Sequence, residues 1–448
     1  MSTIKLVISD LHLADGHPLL EGFGDAQQAA LEGLVNAASG DGPLGDAEDV
    51  ELIINGDCFD FLAVPPYAAD GTTNVVTATG KLETIISVHR AFFETLSYFL
   101  SLAGRHVTFL AGNHDIELIF AEVQAGILAA IYGTQSRGQG ANFCHTPFYR
   151  PLRDVYIEHG NQYDFWNHTS DTWDEQGQPL QPKPGVMTLP VGTQYFQRVS
   201  HPISVQYPYF DHFEPSMDTM NQVALLCLLN PKLVIETARR CVELLSYPRE
   251  ALASLTPGEE HIPARLFAHA MLDFAAFQQD MLARKPNWVE PAGQEQSQDD
   301  AMREFARLRD ALELPLLEAV KNICAPGVYQ MGESVANGML HVLRSDPALR
   351  YAIAGHTHME RVDTINKGSQ VYFNTGSWTT RCALPGPGEM TADLVTWLRQ
   401  PDWNAIPLRD RTRLAFAFIS AEEDAPSSAS LCSWEGGAKG SYRVLVQG

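Results

Sequence analysis

Short apolar runs punctuate the chain at 5–9 (KLVIS), 51–55 (ELIIN), 106–112 (HVTFLAG), 154–160 (DVYIEHG), 351–355 (YAIAG) and 370–376 (QVYFNTG). Their apolarity is continuous rather than alternating, which is the mark of strands covered on both faces. Segments between them carry apolar residues at helical spacing: 25–38, then 81–103 stopping at Gly104, then 115–132 stopping at Gly133. Strand–helix–strand alternation of this kind predicts an α/β architecture.

Between 166 and 347 the pattern changes. A polar stretch bearing proline and glycine (174–185) leads into helical periodicity at 219–247, 263–284, 301–324 and 333–345, interrupted by an exposed-loop composition at 287–300. Strand-like runs resume at 351 and return again at 414–420 and 441–447, with 422–430 reading as a loop. The expected organisation is therefore a core made of 1–165 and 348–448, interrupted by a helical insertion or cap at 166–347. A chain of 448 residues has room for such a second body.

Composition narrows the partners. Lys and Arg number 31 against 54 Asp and Glu, a formal net charge of -23. A nucleic-acid binder needs a basic stripe, and none is visible, so nucleic acid is disfavoured as a partner. Seven cysteines are scattered without a CxxC pair, which fits neither a disulfide framework nor a cysteine zinc site and suits a reducing compartment. The start, MSTIKLVISD, lacks a basic-then-apolar leader pattern, and the most apolar window, ALLCLLNPKLVI, is broken by Asn230, Pro231 and Lys232. The expectation is a cytoplasmic protein with no membrane span. Apolar helical surfaces in the insertion permit a homo-oligomer.

The chemistry gathers where the strand-like runs stop. The first ends in Asp10-Leu11-His12, the second in Gly56-Asp57-Cys58-Phe59-Asp60, the third in Gly112-Asn113-His114-Asp115, the fourth in His159-Gly160-Asn161, and the fifth in His356-Thr357-His358. Alone, each has an ordinary reading: a turn aspartate, a helix cap, a surface histidine. Together they put five metal-type ends where open α/β sheets collect ligands, beyond the carboxyl ends of strands. Imidazole combined with carboxylate and amide oxygen suits divalent transition metals such as Mn, Fe, Zn or Co, whereas Ca or Mg cages use oxygen alone.

DLH, GDCFD, GNHD, the HG of EHGN, and GHTH resemble, in order, the five blocks of the calcineurin-like metallophosphoesterase family, over 4–165 and 350–378. The resemblance implies an α/β fold with a layered, metallophosphoesterase-type β-sandwich core flanked by helices, here carrying a large, mostly helical insertion. It implies two divalent metal ions, with Mn2+ favoured. Asp10, His12, Asp57 and His358 would hold one; Asp57, Asn113, His159 and His356 would hold the other, with Asp57 bridging. His114 would act on the substrate with Asp115 orienting it, and Asp60 would stand behind a ligand. The implied activity is hydrolysis of a phosphomonoester, phosphodiester or pyrophosphate by a hydroxide activated between the two metals.

Substrate contacts are expected from Asn113, His114 and, for a second phosphate, Arg381. The ester could be a small molecule or lipid-linked. HGNQYD (159–164) is similar to versions of the family acting on a UDP-linked lipid-A precursor, over too short a stretch to assign that substrate. Trp166, Tyr195, Phe196, Tyr207, Tyr209 and Phe210 read first as core aromatics and second as an apolar wall for such a substrate. Cys58 reads as a small buried residue rather than a nucleophile. Two rival readings are a non-catalytic scaffold that binds partners through the insertion, which predicts decayed ligand positions, and a nuclease of the same superfamily, which predicts a basic groove.

Overall fold

The computed structural model describes residues 2–40, 44–67, 71–133, 140–164, 166–169, 184–190, 192–193, 196–214, 219–236, 263–264, 266–268, 270–272, 298–325, 333–402, 405–422 and 425–448. The chain divides into two compact units, one of 1–194, 332–380 and 412–448 and the other of 195–331 and 381–411.

The first unit is a two-sheet sandwich. Its larger sheet has seven strands, in the order Ser441–Gln447, Ser428–Glu435, Leu414–Ala421, Thr3–Ile8, Asp49–Asn55, Arg105–Leu110, Ala141–Phe143. The last four run parallel, with Ile8 beside Ile54 and Asn55 beside Leu110; the first three are joined antiparallel. The second sheet has five strands, in the order Glu360–Ile365, Gln370–Thr375, Tyr351–Ala354, Val155–Glu158, Phe148–Leu152, with the middle three parallel.

Alternation across the pleat sorts the side chains. Val7, Ile53 and Leu110 of one sheet meet Val155, Ile157, Ile353 and Phe373 of the other in a buried layer, extended by Ala417, Ile419 and Leu431. The opposite face of the second sheet offers Ala352, Ala354 and Tyr372, which are covered by Val335, Met339 and Leu343 of the helix Glu333–Ser345. Both faces of these strands are thus dry, which is why they read as continuous apolar runs. Because the parallel strands of each sheet share a direction, their carboxyl ends emerge along a common edge, and the candidate side chains follow those ends.

Several expectations change in detail. The segment 81–103 is two helices, Val75–Val88 and Arg90–Leu100; the chain breaks at His89, whose ring turns to the Glu21 carboxylate 3.3 Å away. The segment 115–132 begins as a short 3-10 turn, Ile116–Ile119, before the helix Ala121–Tyr132. Pro315 splits 301–324 into Gln298–Ala311 and Leu316–Ile323, because proline cannot donate to a preceding turn. The expected loop at 422–430 gives way at Ser428 to the strand Ser428–Glu435. Most of 263–284 lies outside the described residues.

In the second unit Tyr207, Tyr209, Phe210 and Phe213 are buried against one another, and Trp397 lies 5.7 Å from the Tyr209 ring. The first reading of the sequence's aromatics, as core, holds for Tyr207, Tyr209 and Phe210; Trp166 and Phe196 are half-buried, and Tyr195 lies outside the described residues. Among the described residues, no helix is long and apolar enough to cross a membrane.

Candidate metal centre

The strand ends turn sharply where the candidate side chains hang. Asp10, His12, Asp57, His356 and His358 all have positive φ, between 50° and 68°. For a residue with a Cβ this left-handed backbone costs about 1–2 kcal/mol, so each turn must be held by its surroundings. The loops hold one another. Asp10 N donates to Gly56 O, His12 N to Asp57 O and Leu13 N to Cys58 O, at 3.1, 2.9 and 3.0 Å. Gly355 N donates to His159 O at 2.9 Å, and His356 N reaches both oxygens of Asp10 at 3.1 and 3.0 Å.

Three glycines make room. A methyl on Gly56 would collide with the His159 ring, one on Gly112 with the Asp57 carboxylate, and one on Gly355 with that of Asp10. The glycines of GDCFD, GNHD and GHTH are therefore the floor on which candidate side chains rest.

Two groups of side chains could each hold an ion, Asp10, His12 and His358, and Asp57, His159 and His356, with donor atoms inside 4.8 Å within each group; a third group of the same compactness, His12, Asp60 and His114, shares His12 with the first. In the first, His358 Nε2 lies 3.2 Å from Asp10 Oδ1 and 3.0 Å from His12 Nε2. In the second, His159 Nε2 lies 3.1 Å from Asp57 Oδ2. That same Asp57 oxygen is 3.9 Å from His12 Nε2, so Asp57 faces both groups; its Oδ1 accepts from His114 N at 2.8 Å.

The donor chemistry fits cations. His159 Nδ1 lies 2.9 Å from the Asn55 carbonyl oxygen, which only accepts, so Nδ1 carries the hydrogen. The neutral ring then turns its Nε2 lone pair toward an anionic oxygen, and two acceptors facing one another require a positive charge between them. His159 Nε2, whose near neighbour is the Asp57 oxygen just described, and Asn113 Oδ1 are two of nine buried side-chain polar atoms among the described residues that lack a well-formed hydrogen bond, although such atoms normally have one. Both are candidate ligand atoms, and mixed nitrogen and oxygen donors suit divalent transition metals.

Without metal, protons take that place. Burial pulls the His159 pKa down, but the Asp57 and Asp10 carboxylates outweigh it and carry it to about 10. Burial pushes Asp10 up, but His159 and His358 outweigh it and hold it at about 2. Asp57 is likewise held well below the usual carboxylate range, by His159 and His114 against its burial.

A supporting layer fixes the rings. Asp60 lies 3.2 Å from His12 Nδ1 and 2.9 Å from His114 Nδ1, and its carboxylate also accepts from Leu62 N and Ala63 N. A carboxylate can only accept, so both rings carry hydrogen on Nδ1. Asp60, and not the neighbouring Asp115, is thus the partner of His114. Asp115 instead accepts from Gly112 N, Cys58 N, Asp57 N and Phe59 N at 2.6, 2.8, 3.2 and 3.3 Å, tying GNHD to GDCFD. Burial and Asp57 push Asp115 up to about 7, and the backbone donors oppose them. For His114, burial pulls downward while Asp60 and Asp57 raise its pKa to about 9.

Sequence reasoning missed Asp164, whose Oδ2 lies 3.1 Å from His356 Nε2. Burial pushes its pKa up, but the bonds from His356, Asn167 and Trp166 N outweigh that and leave it lowered. Nothing in QYD marks this aspartate, because its partner lies 192 positions away. Arg381 belongs to the second unit, where it is buried and donates to the Asp211 carbonyl oxygen at 2.8 Å.

A family model agrees with the residue pattern. Residues 5–198 match the family model described as calcineurin-like phosphoesterase, a span that includes every candidate from Asp10 to His159 and stops before GHTH. A crystal structure of a dimetal phosphatase from Danio rerio is similar at 12% identity, covering 100% of this chain and 99% of that one, with a TM-score of 0.31, too low to carry an argument. No curated protein sequence matches.

Proposed function

We propose, from the calcineurin-like phosphoesterase pattern carried by residues 5–198, that this protein is a dinuclear metal-dependent phosphoric ester hydrolase. The observation that carries the reading is Asp57 Oδ2, which faces His159 Nε2 at 3.1 Å and His12 Nε2 at 3.9 Å and so stands between two donor groups. Asp10, His12, Asp57 and His358 would hold one divalent ion; Asp57, Asn113, His159 and His356 would hold the other. When bound, the pair supplies Lewis-acid activation of water and charge stabilisation at the phosphoryl oxygens. Mn2+ is our favoured metal on the strength of the family resemblance; Fe, Zn or Co would also suit a mixed carboxylate, amide and imidazole set.

The protein's own groups orient the ester. Asp60 holds the His114 ring through Nδ1, so His114 would meet the substrate through Nε2, donating to a phosphoryl oxygen or to the leaving oxygen. Asp115 acts at one remove, by holding the GDCFD and GNHD loops together. We place the protein in the cytoplasm, since the six described cysteines are all unpaired.

Metal analysis of the purified protein, followed by Mn2+-dependent assays on a phosphomonoester, a phosphodiester and a pyrophosphate, tests the reading. Two bound ions per chain and hydrolysis of at least one class are expected. No bound metal together with no hydrolysis of any class would overturn it.

A further inference from the structure

We infer that Asp164 is a positioning residue for His356: its carboxylate takes the Nε2 hydrogen of that ring and leaves Nδ1 to face Asp57 and His159. The contact measures 3.1 Å, and an ionised carboxylate can only accept, so Nε2 must be the donor. With one ring nitrogen engaged, Nδ1 is the atom remaining for the group His356 forms with Asp57 and His159. Asp164 is not a member of that group, so its carboxylate stands beside the donor cluster rather than within it.

The carboxylate is itself held. Asn167 Nδ2 donates to Asp164 Oδ2 at 2.7 Å, Trp166 N to Oδ1 at 2.9 Å, and Asn161 Nδ2 closes the loop onto Asn167 O at 2.9 Å. Gly160, at φ 110°, starts that loop immediately after His159. One short segment therefore supplies both a candidate ligand, His159, and the group that orients another, His356. The His356 ring is constrained at both ends: its backbone N is fixed on Asp10 and its Nε2 on Asp164. A carboxylate behind a ligating imidazole fixes its tautomer and raises its basicity, and loss of such a partner typically costs about 10–100-fold in metal affinity.

This inference rests on the dinuclear reading above, and one experiment separates the two. Metal-free wild type, Asp164→Ala and Asp164→Asn are titrated with Zn2+ by calorimetry, with circular dichroism confirming that each is folded. Wild type is expected to bind two ions. Asp164→Ala should weaken one of them about 10–100-fold and spare the other, while Asp164→Asn, whose amide oxygen still accepts, should recover most of the loss. Nitrogen-15 spectra of the Zn2+-loaded wild type should show His356 bound through Nδ1 with hydrogen on Nε2. Unchanged affinities in Asp164→Ala, or His356 bound through Nε2, would overturn the positioning role while leaving the dinuclear reading intact. Absence of Zn2+ binding by wild type would overturn both.

Discussion

A methyl group at Gly112 would strike the Asp57 carboxylate, the side chain that faces both donor groups. Gly112→Ala should therefore lower the affinity for both ions at once, by about 10-fold or more, and hydrolysis should fall with it. Calorimetric titration of metal-free protein reads the change; a variant that binds both ions as wild type does would show that the carboxylate can move aside. The candidate ligands were legible because they sit within four positions of apolar strand ends, where turn residues have little else to do. The groups that orient them were less so. Asp115 adjoins His114 in sequence, yet the turn sends its carboxylate to four backbone N–H groups and gives His114 to Asp60 instead. Adjacency along a chain does not specify contact across a turn.

The helix Glu333–Ser345 shows how an element serves the site without touching it. Its Met339 and Leu343 cover Ala352 and Ala354 of the 351–354 strand, and its Gly338 lies flat against the Tyr163 ring. Alanine is the better helix former by about 1 kcal/mol, so propensity alone favours Gly338→Ala. The added methyl would instead drive into Tyr163, and such overpacking costs about 1–3 kcal/mol. We expect net destabilisation in urea unfolding; a gain would mean that the 161–164 loop yields freely. At this level the central strands were readable because both their faces are buried. Ser428–Glu435 was not, since SASLCSWE sets serines between its apolar residues and begins directly after a proline- and serine-bearing turn. The 360–365 strand, ERVDTI, escaped for a similar reason: it pairs on one side only and is half-exposed along its length. The division of 301–324 was written plainly in Pro315.

Across the first unit, the two donor groups draw on the ends of both sheets: Asp10, His12, Asp57 and Asn113 from one, His159, His356 and His358 from the other. Ions bound there would join the layers, so chelation should lower the melting temperature; at free metal 100-fold above its Kd, each ion adds about 2.7 kcal/mol. Hydrogen exchange should speed up in both sheets after chelation, and acceleration confined to one sheet would contradict the arrangement. The metal-free protein should also acquire a distinctive pH response. The raised His159 pKa contributes stability below its unfolded value, near 6.5, which is lost as pH climbs through about 10. The lowered Asp10 pKa contributes above its own unfolded value and is lost as pH falls through about 2. Thermal melts in chelator from pH 6 to 10 should decline, and saturating metal should flatten the decline. The left-handed turns have one more consequence, for anyone who would build such a centre elsewhere. Transplanting these side chains onto the ends of ordinary extended strands would fail, because five of the seven candidate ligands aim from torsions that extended chain does not visit. A graft would have to carry the bent backbone, and the neighbouring loops that keep it bent, along with the chemistry.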